Sequence, residues 1–272
     1  MLTDDQKMLF DLDEIPFQKD IDPARMWHAP RRTDHIARIV DALKSRQSVL
    51  LFGDPGAGKT CLLRAVRDAM PAAGYRLTYC HNATLGRRDF YRQLTVALGL
   101  NAKATAAALF HAVSTHVAEL GRERIHPVFV LDEAHLLHQD TLDHLHILMN
   151  YEWDQKPLLS LVLVGLPELD DRLLMRRNRS LHSRLSTRIR LEPFSPADTR
   201  TYVAARLEQA GCTRDVFARD ALGLIHEASR GIPREIDRIA LQAMYLAACE
   251  SRSMVEADHV VQVVRSEQPE AA

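Results

Sequence analysis

The stretch LLFGDPGAGKTCLL, residues 50–63, sets an apolar run, a glycine-rich turn and a second apolar run in direct succession. The turn, Gly53 to Thr60, fits the spacing GxxxxGK followed by Ser or Thr at every fixed position. Glycines at this spacing let the backbone bend until several N–H groups face one anion. A helix that starts at the end of the turn adds the positive end of its dipole. Gly53, Asp54, Pro55, Gly56, Ala57, Gly58, Lys59, Thr60 and Cys61 therefore form a candidate phosphate cradle. Lys59 would reach the β- and γ-phosphates of a nucleotide, and Thr60 would offer its hydroxyl to Mg2+.

Outward from this turn, short apolar runs alternate with helical periodicity. SVLLFG (48–53) reads as a buried strand and KTCLLRAVRDAM as the helix after it. Further strands are expected at YRLTYCHNA (75–83), PVFVLDEAH (127–135), LLSLVLVGLPEL (158–169) and STRIRLEPF (186–194). Helices are expected at RDFYRQLTVALGL, at 105–121 and at TLDHLHILMNYEWD. Before the first strand, Ile36, Ile39, Val40 and Leu43 share one helical face, with Thr33 or Asp34 as its cap. Strands alternating with helices predict a parallel sheet covered on both faces. After Pro193 only helical patterns follow, at about 196–210, 216–230, 233–250 and 256–266. The expected organisation is an α/β fold: a lead-in over 1–47, a parallel-sheet core over 48–194 and a small all-helical lid over 195–272.

The strand at 128–133, VFVLDE, ends in two carboxylates. Asp132 would arrive at the mouth of the sheet, where it can hold Mg2+. Glu133 is then placed to polarise a water for attack on a γ-phosphate. ATP and Mg2+ are the cofactors these residues call for.

Bulk composition narrows the classes. With 35 basic and 36 acidic residues the formal net charge is -1, so any nucleic-acid surface has to be local. No apolar run is long enough to predict a membrane span, and the first residues lack the pattern of a signal peptide. The cysteines, Cys61, Cys80, Cys212 and Cys249, form no CxxC pair, which fits reduced thiols and a cytoplasmic location. The histidines at 135, 138, 144 and 146 do not complete a tetrahedral ligand set.

The cradle, the acidic strand end, GIPREIDRIA (231–240) and RSLHSRLSTRIRLEPF (179–194) together resemble the AAA+ ATPase family. The resemblance implies a P-loop AAA+ core with a helical lid. It implies that Arg234 reaches the nucleotide from the lid, and that Arg184 is an arginine finger inserted into a neighbour's site, with Arg179 and Arg188 as competitors for that role. A finger in trans implies self-association into a ring or filament. The family usually carries a polar sensor at the end of the fourth strand. Here Gly165 and Leu166 stand there, and Asn150 is the substitute, a departure that fits slow or partner-stimulated hydrolysis.

The opening FDLDEIPFQKDIDPARMWHAPRRTDHIARIVDAL, with DEAHLL, LHILMNYEWDQKPLLSLVLVGLPEL and SRL, is similar in order and spacing to ExeA-type ATPases. That type includes the transposition regulators called TniB and TnsC and, more distantly, IstB and MuB. Full ExeA proteins continue to a membrane span and a peptidoglycan-binding part, whereas this sequence stops at residue 272. The expectation is therefore an ATP-dependent regulator that assembles non-specifically on double-stranded DNA and directs a transposase, without a membrane. Arg87, Arg88 and Arg92 are its candidate DNA contacts, through phosphates. The alternatives are a secretion or envelope-assembly ATPase acting on a protein partner, and a nucleotide switch in signalling or defence.

Overall fold

The computed structural model describes residues 2–18, 27–80, 86–151 and 156–266. In chain order the elements are α1 (Asp4–Leu9), α2 (Pro30–Lys44), β1 (Val49–Phe52), α3 (Lys59–Ala69), β2 (Tyr75–Cys80), α4 (Arg87–Ala97), α5 (Ala106–Arg122), β3 (His126–Leu131), α6 (Gln139–Leu148), β4 (Ser160–Gly165), α7 (Pro167–Leu174), α8 (Arg179–His182), β5 (Thr187–Arg190), α9 (Pro196–Gln209), α10 (Arg219–Ser229), α11 (Pro233–Cys249) and α12 (Ala257–Ser266). The chain divides into two compact units: a sheet unit of Asp34–Pro55 and Leu62–Leu191, and a helical unit of Met1–Thr33, Gly56–Cys61 and Glu192–Ala272.

In the sheet unit the strand order is β2-β3-β4-β1-β5, and every pairing is parallel. A parallel sheet covered on both faces needs strands that are apolar at every position, not at alternate ones. HPVFVL in β3 and SLVLVG in β4 are buried along their whole length and meet that demand except at their first residues, His126 and Ser160, whose side chains hydrogen-bond each other at 2.9 Å. Phe129, Leu131, Leu161 and Leu163 of these strands share a core with Leu94 of α4, Leu109 and Val113 of α5, and Leu142 and Leu145 of α6. Thr105 caps α5 by accepting from the Ala108 amide, satisfying one of the donors a helix start leaves open.

The helical unit has its own core, including Phe10, Phe17, Phe194, Ile225, Ile236, Met244 and Val260. Ser195 and Asp198 form a reciprocal capping box at the start of α9, and Pro233 occupies the first turn of α11. Residues of the lead-in are built into this core: the Asp13 amide donates to the Ala210 carbonyl, and Arg214 donates to Asp11 and to the carbonyl of Leu9.

Several boundaries differ from the sequence reading. α2 starts at Pro30, before the expected caps Thr33 and Asp34, because a proline suits the first helical turn. β4 stops at Gly165, and what reads as its continuation is α7, opened by Pro167 with Glu168 and Asp170 in its first turn. α6 ends at Leu148, so Asn150 lies beyond the helix. The expected strand tail at 81–83 and the end of the expected helix at 152–154 fall outside the described residues.

Candidate nucleotide site

The phosphate loop leads from β1 into α3, which begins at Lys59 itself. Within the helical unit, Gly56 and Gly58 hold φ of +80° and +91°, the left-handed region that side chains disfavour. A chain kinked this way turns successive amides toward one point, as an anion cradle requires. Lys59 is buried, Thr60 is exposed and Cys61 is half-buried. The Arg234 amide donates to the Gly56 carbonyl at 3.4 Å, and a Cβ built on Gly56 would meet the Arg234 Cβ at 2.8 Å. The start of α11 thus rests on the loop, with the Arg234 side chain exposed.

A residue that the sequence did not single out completes this cluster. Arg32, only 7% exposed, donates from Nη2 to the Ala57 carbonyl at 2.7 Å. Its guanidinium carbon stands 4.2 Å from the centre of the Phe194 ring. Burial pulls the Arg32 pKa down to about 10. Phe194 in turn packs against Trp27 and Tyr202.

In the sheet unit, β3 delivers Asp132 and Glu133. Asp132 is buried, and both of its oxygens are engaged: Oδ1 accepts from the Glu133 amide at 2.9 Å and Oδ2 from the Tyr79 hydroxyl at 2.6 Å. Burial, and then the bond to Asp132, pushes the Tyr79 hydroxyl well above the ordinary tyrosine range. Tyr79 is a second residue that sequence reading missed. Glu133 is exposed and holds a left-handed backbone, φ +54°, a conformation that costs a non-glycine residue roughly 1 kcal/mol or more. The surrounding turn fixes it: the Leu136 amide donates to the Glu133 carbonyl, and Arg172 donates to the carbonyls of His135 and Leu137. A buried acidic oxygen ligand suits Mg2+, a hard cation, and the kinked loop with a buried lysine suits phosphates, so the residues present fit Mg-ATP.

Gly165, the last residue of β4, is closely packed. A Cβ on Gly165 would meet the Leu169 Cδ2 at 2.9 Å and the His135 amide nitrogen at 3.2 Å. Asn150, the substitute, is an exposed residue on the turn after α6. Arg184 is half-buried and donates to the Ser180 carbonyl. Arg188 faces Asp170 at 3.9 Å, and Arg179 is exposed at the start of α8. Arg87, Arg88 and Arg92 are exposed on the first turns of α4, with Arg92 3.6 Å from Asp89.

Comparison with known proteins supplies the family context. Residues 41–173 match the AAA domain. The chain is 32% identical over 253 residues, 92% of its length, to general secretion pathway protein A of Aeromonas hydrophila, and spans 46% of that relative. Among solved structures it is similar to Cdc6p of Pyrobaculum aerophilum, with a TM-score of 0.66 at 18% identity, covering 92% of this chain and 68% of that one. The ORC1 protein of Aeropyrum pernix, solved in complex with DNA, gives the same TM-score and coverage at 20% identity. No described helix is long and apolar enough to cross a membrane. The parallel sheet and the glycine-kinked loop at the end of β1 give the chain the P-loop AAA+ fold, and residues 41–173 within it match the AAA domain.

Proposed function

We propose that the chain binds Mg-ATP, hydrolyses it and uses the cycle to act on a protein partner of a secretion or envelope-assembly system. The carrying observation for ATP is the loop with two left-handed glycines that runs straight into α3 at Lys59. In this reading Gly53 to Thr60 cradle the phosphates, and Lys59 binds their outer oxygens. Thr60 and Asp132 hold Mg2+, which when bound offsets charge developing on the phosphates. Glu133 orients and deprotonates the attacking water. Arg234 contributes to nucleotide binding, Asn150 serves as the polar sensor, and Arg184 of one subunit completes a neighbour's site in an assembled ring or filament.

Similarity along 92% of this chain to a general secretion pathway protein favours a protein partner over DNA. The second reading is an ATP-dependent transposition regulator that assembles on duplex DNA and engages a transposase. The exposed arginines of α4 favour it, as do structural neighbours solved with DNA. Steady-state ATP hydrolysis, measured with and without random-sequence duplex at 50 and 200 mM salt, separates the two. A protein-directed ATPase gives the same rate with and without DNA at each salt concentration. DNA stimulation that fades at the higher salt, and is lost when Arg87 and Arg88 are changed to Ala, would replace the first reading with the second.

A further inference from the structure

Arg32 is an expensive residue in its place. A buried guanidinium needs a counter-charge to offset its lost hydration. Among the described residues no carboxylate lies within ion-pair distance of Arg32. Its partners are one carbonyl, Ala57 at 2.7 Å, and the Phe194 ring face at 4.2 Å. Neither carries a formal negative charge, and Asp198 favours the cation only from beyond ion-pair distance; burial outweighs them, and the pKa falls to about 10. The carbonyl it holds belongs to the phosphate loop. Nη1 also lies 2.6 Å from where a Cβ of Gly58 would stand, so the guanidinium occupies the space beside the second kinked glycine. A cation kept dry against the wall of an anion cradle, by the backbone of that cradle, lacks only the anion.

We propose that Arg32 is a nucleotide-binding residue whose missing counter-ion is a phosphate group of the bound nucleotide, so that it serves beside Lys59 as a second cation of the cradle. The inference rests on the ATP reading of the same loop. The planar fork retains N–H groups beyond the one given to Ala57, and guanidinium–phosphate bonds are charge-assisted. Positioning is already in place, because Phe194 and Ala57 hold the group before any ligand arrives.

The test uses the purified chain and the variants Arg32→Met and Arg32→Lys. Affinities for ATP and for inorganic tripolyphosphate are measured by calorimetry, and melting temperatures with and without ATP. Arg32→Met removes a dry, unpaired cation, so the unliganded variant is expected to melt at or above the wild-type temperature. Its affinity for ATP and for tripolyphosphate should fall by the same factor, tenfold or more, with a smaller ATP-induced rise in melting temperature. Arg32→Lys should lie between. Wild-type ATP affinity in Arg32→Met overturns the inference. So does equal loss of unliganded stability and ATP affinity in both variants, the mark of a clamp on Ala57 and nothing more. A loss for ATP without one for tripolyphosphate also overturns it, since the residue would then read base or ribose. A wild-type chain that binds neither ligand overturns the ATP reading itself, a result distinct from the other three.

Discussion

At the scale of single residues, the groups proposed to serve Mg-ATP are of two kinds. Lys59, Thr60, Asp132 and Glu133 are legible in the sequence because fixed spacing, or a strand that ends in acids, carries the signal. Arg32 and Tyr79 are not, because their roles come from contacts to Ala57 and Asp132, 25 and 53 residues away in the chain. No local pattern announces such a partner. The Tyr79 hydroxyl fixes the orientation of a carboxylate proposed to hold Mg2+, and groups that orient a metal ligand typically change metal affinity by tenfold or more when lost. Tyr79→Phe is therefore expected to raise, about tenfold, the Mg2+ concentration needed for half-maximal ATP binding, with ATP binding in excess Mg2+ retained. A titration curve that stays in place would remove Tyr79 from the site.

At the scale of elements, the five strands and the four C-terminal helices follow directly from periodicity, since long apolar runs and amphipathic repeats tolerate few other readings. The short pieces escaped. α1 has six residues and α8 four, too few for a periodic signal. The start of α7 was readable from Pro167, but its apolar neighbours extended the apparent strand. Gly165, where β4 ends, shows how packing decides chemistry. The His135 amide and Leu169 crowd the space a side chain would need, so a residue larger than glycine at this position requires its neighbours to shift. Gly165→Ala should destabilise the protein by about 1–3 kcal/mol through overpacking, read as a lower midpoint in urea. An unchanged midpoint would mean that the turn at His135 and α7 can move apart freely, and the crowding at Gly165 would carry no cost.

At the scale of the whole molecule, a buried polar network is set into the helical unit. Arg206 donates to the Tyr202 hydroxyl at 2.9 Å and approaches Asp237 at 3.4 Å, while Tyr202 donates to Asp237 at 2.8 Å. Burial outweighs both partners and pushes the Asp237 pKa up to about 6 from an ordinary 3.8. The folded chain therefore holds this proton more tightly than the unfolded chain does. The resulting stabilisation is present below about pH 4 and is lost as the pH rises through about 6. Asp237→Asn, which cannot ionise, should gain stability relative to wild type as the pH rises from 4 to 7. Parallel melting temperatures for the two proteins across that range would contradict the shift. Which residues share a unit depends on contacts far apart in the chain. Residues up to Thr33 cluster with the C-terminal helices, a grouping that depends on contacts such as Asp13 with Ala210.

The most direct measurement is the rate of phosphate release from ATP by wild type, Lys59→Ala and Glu133→Gln, alongside their ATP affinities. We expect measurable wild-type turnover, loss of binding in Lys59→Ala, and near-normal binding in Glu133→Gln with turnover reduced by about 10²-fold or more, the usual worth of a general base. Wild-type turnover in Glu133→Gln, or unaltered ATP affinity in Lys59→Ala, would contradict the assignment of this loop and this strand end as the hydrolytic site.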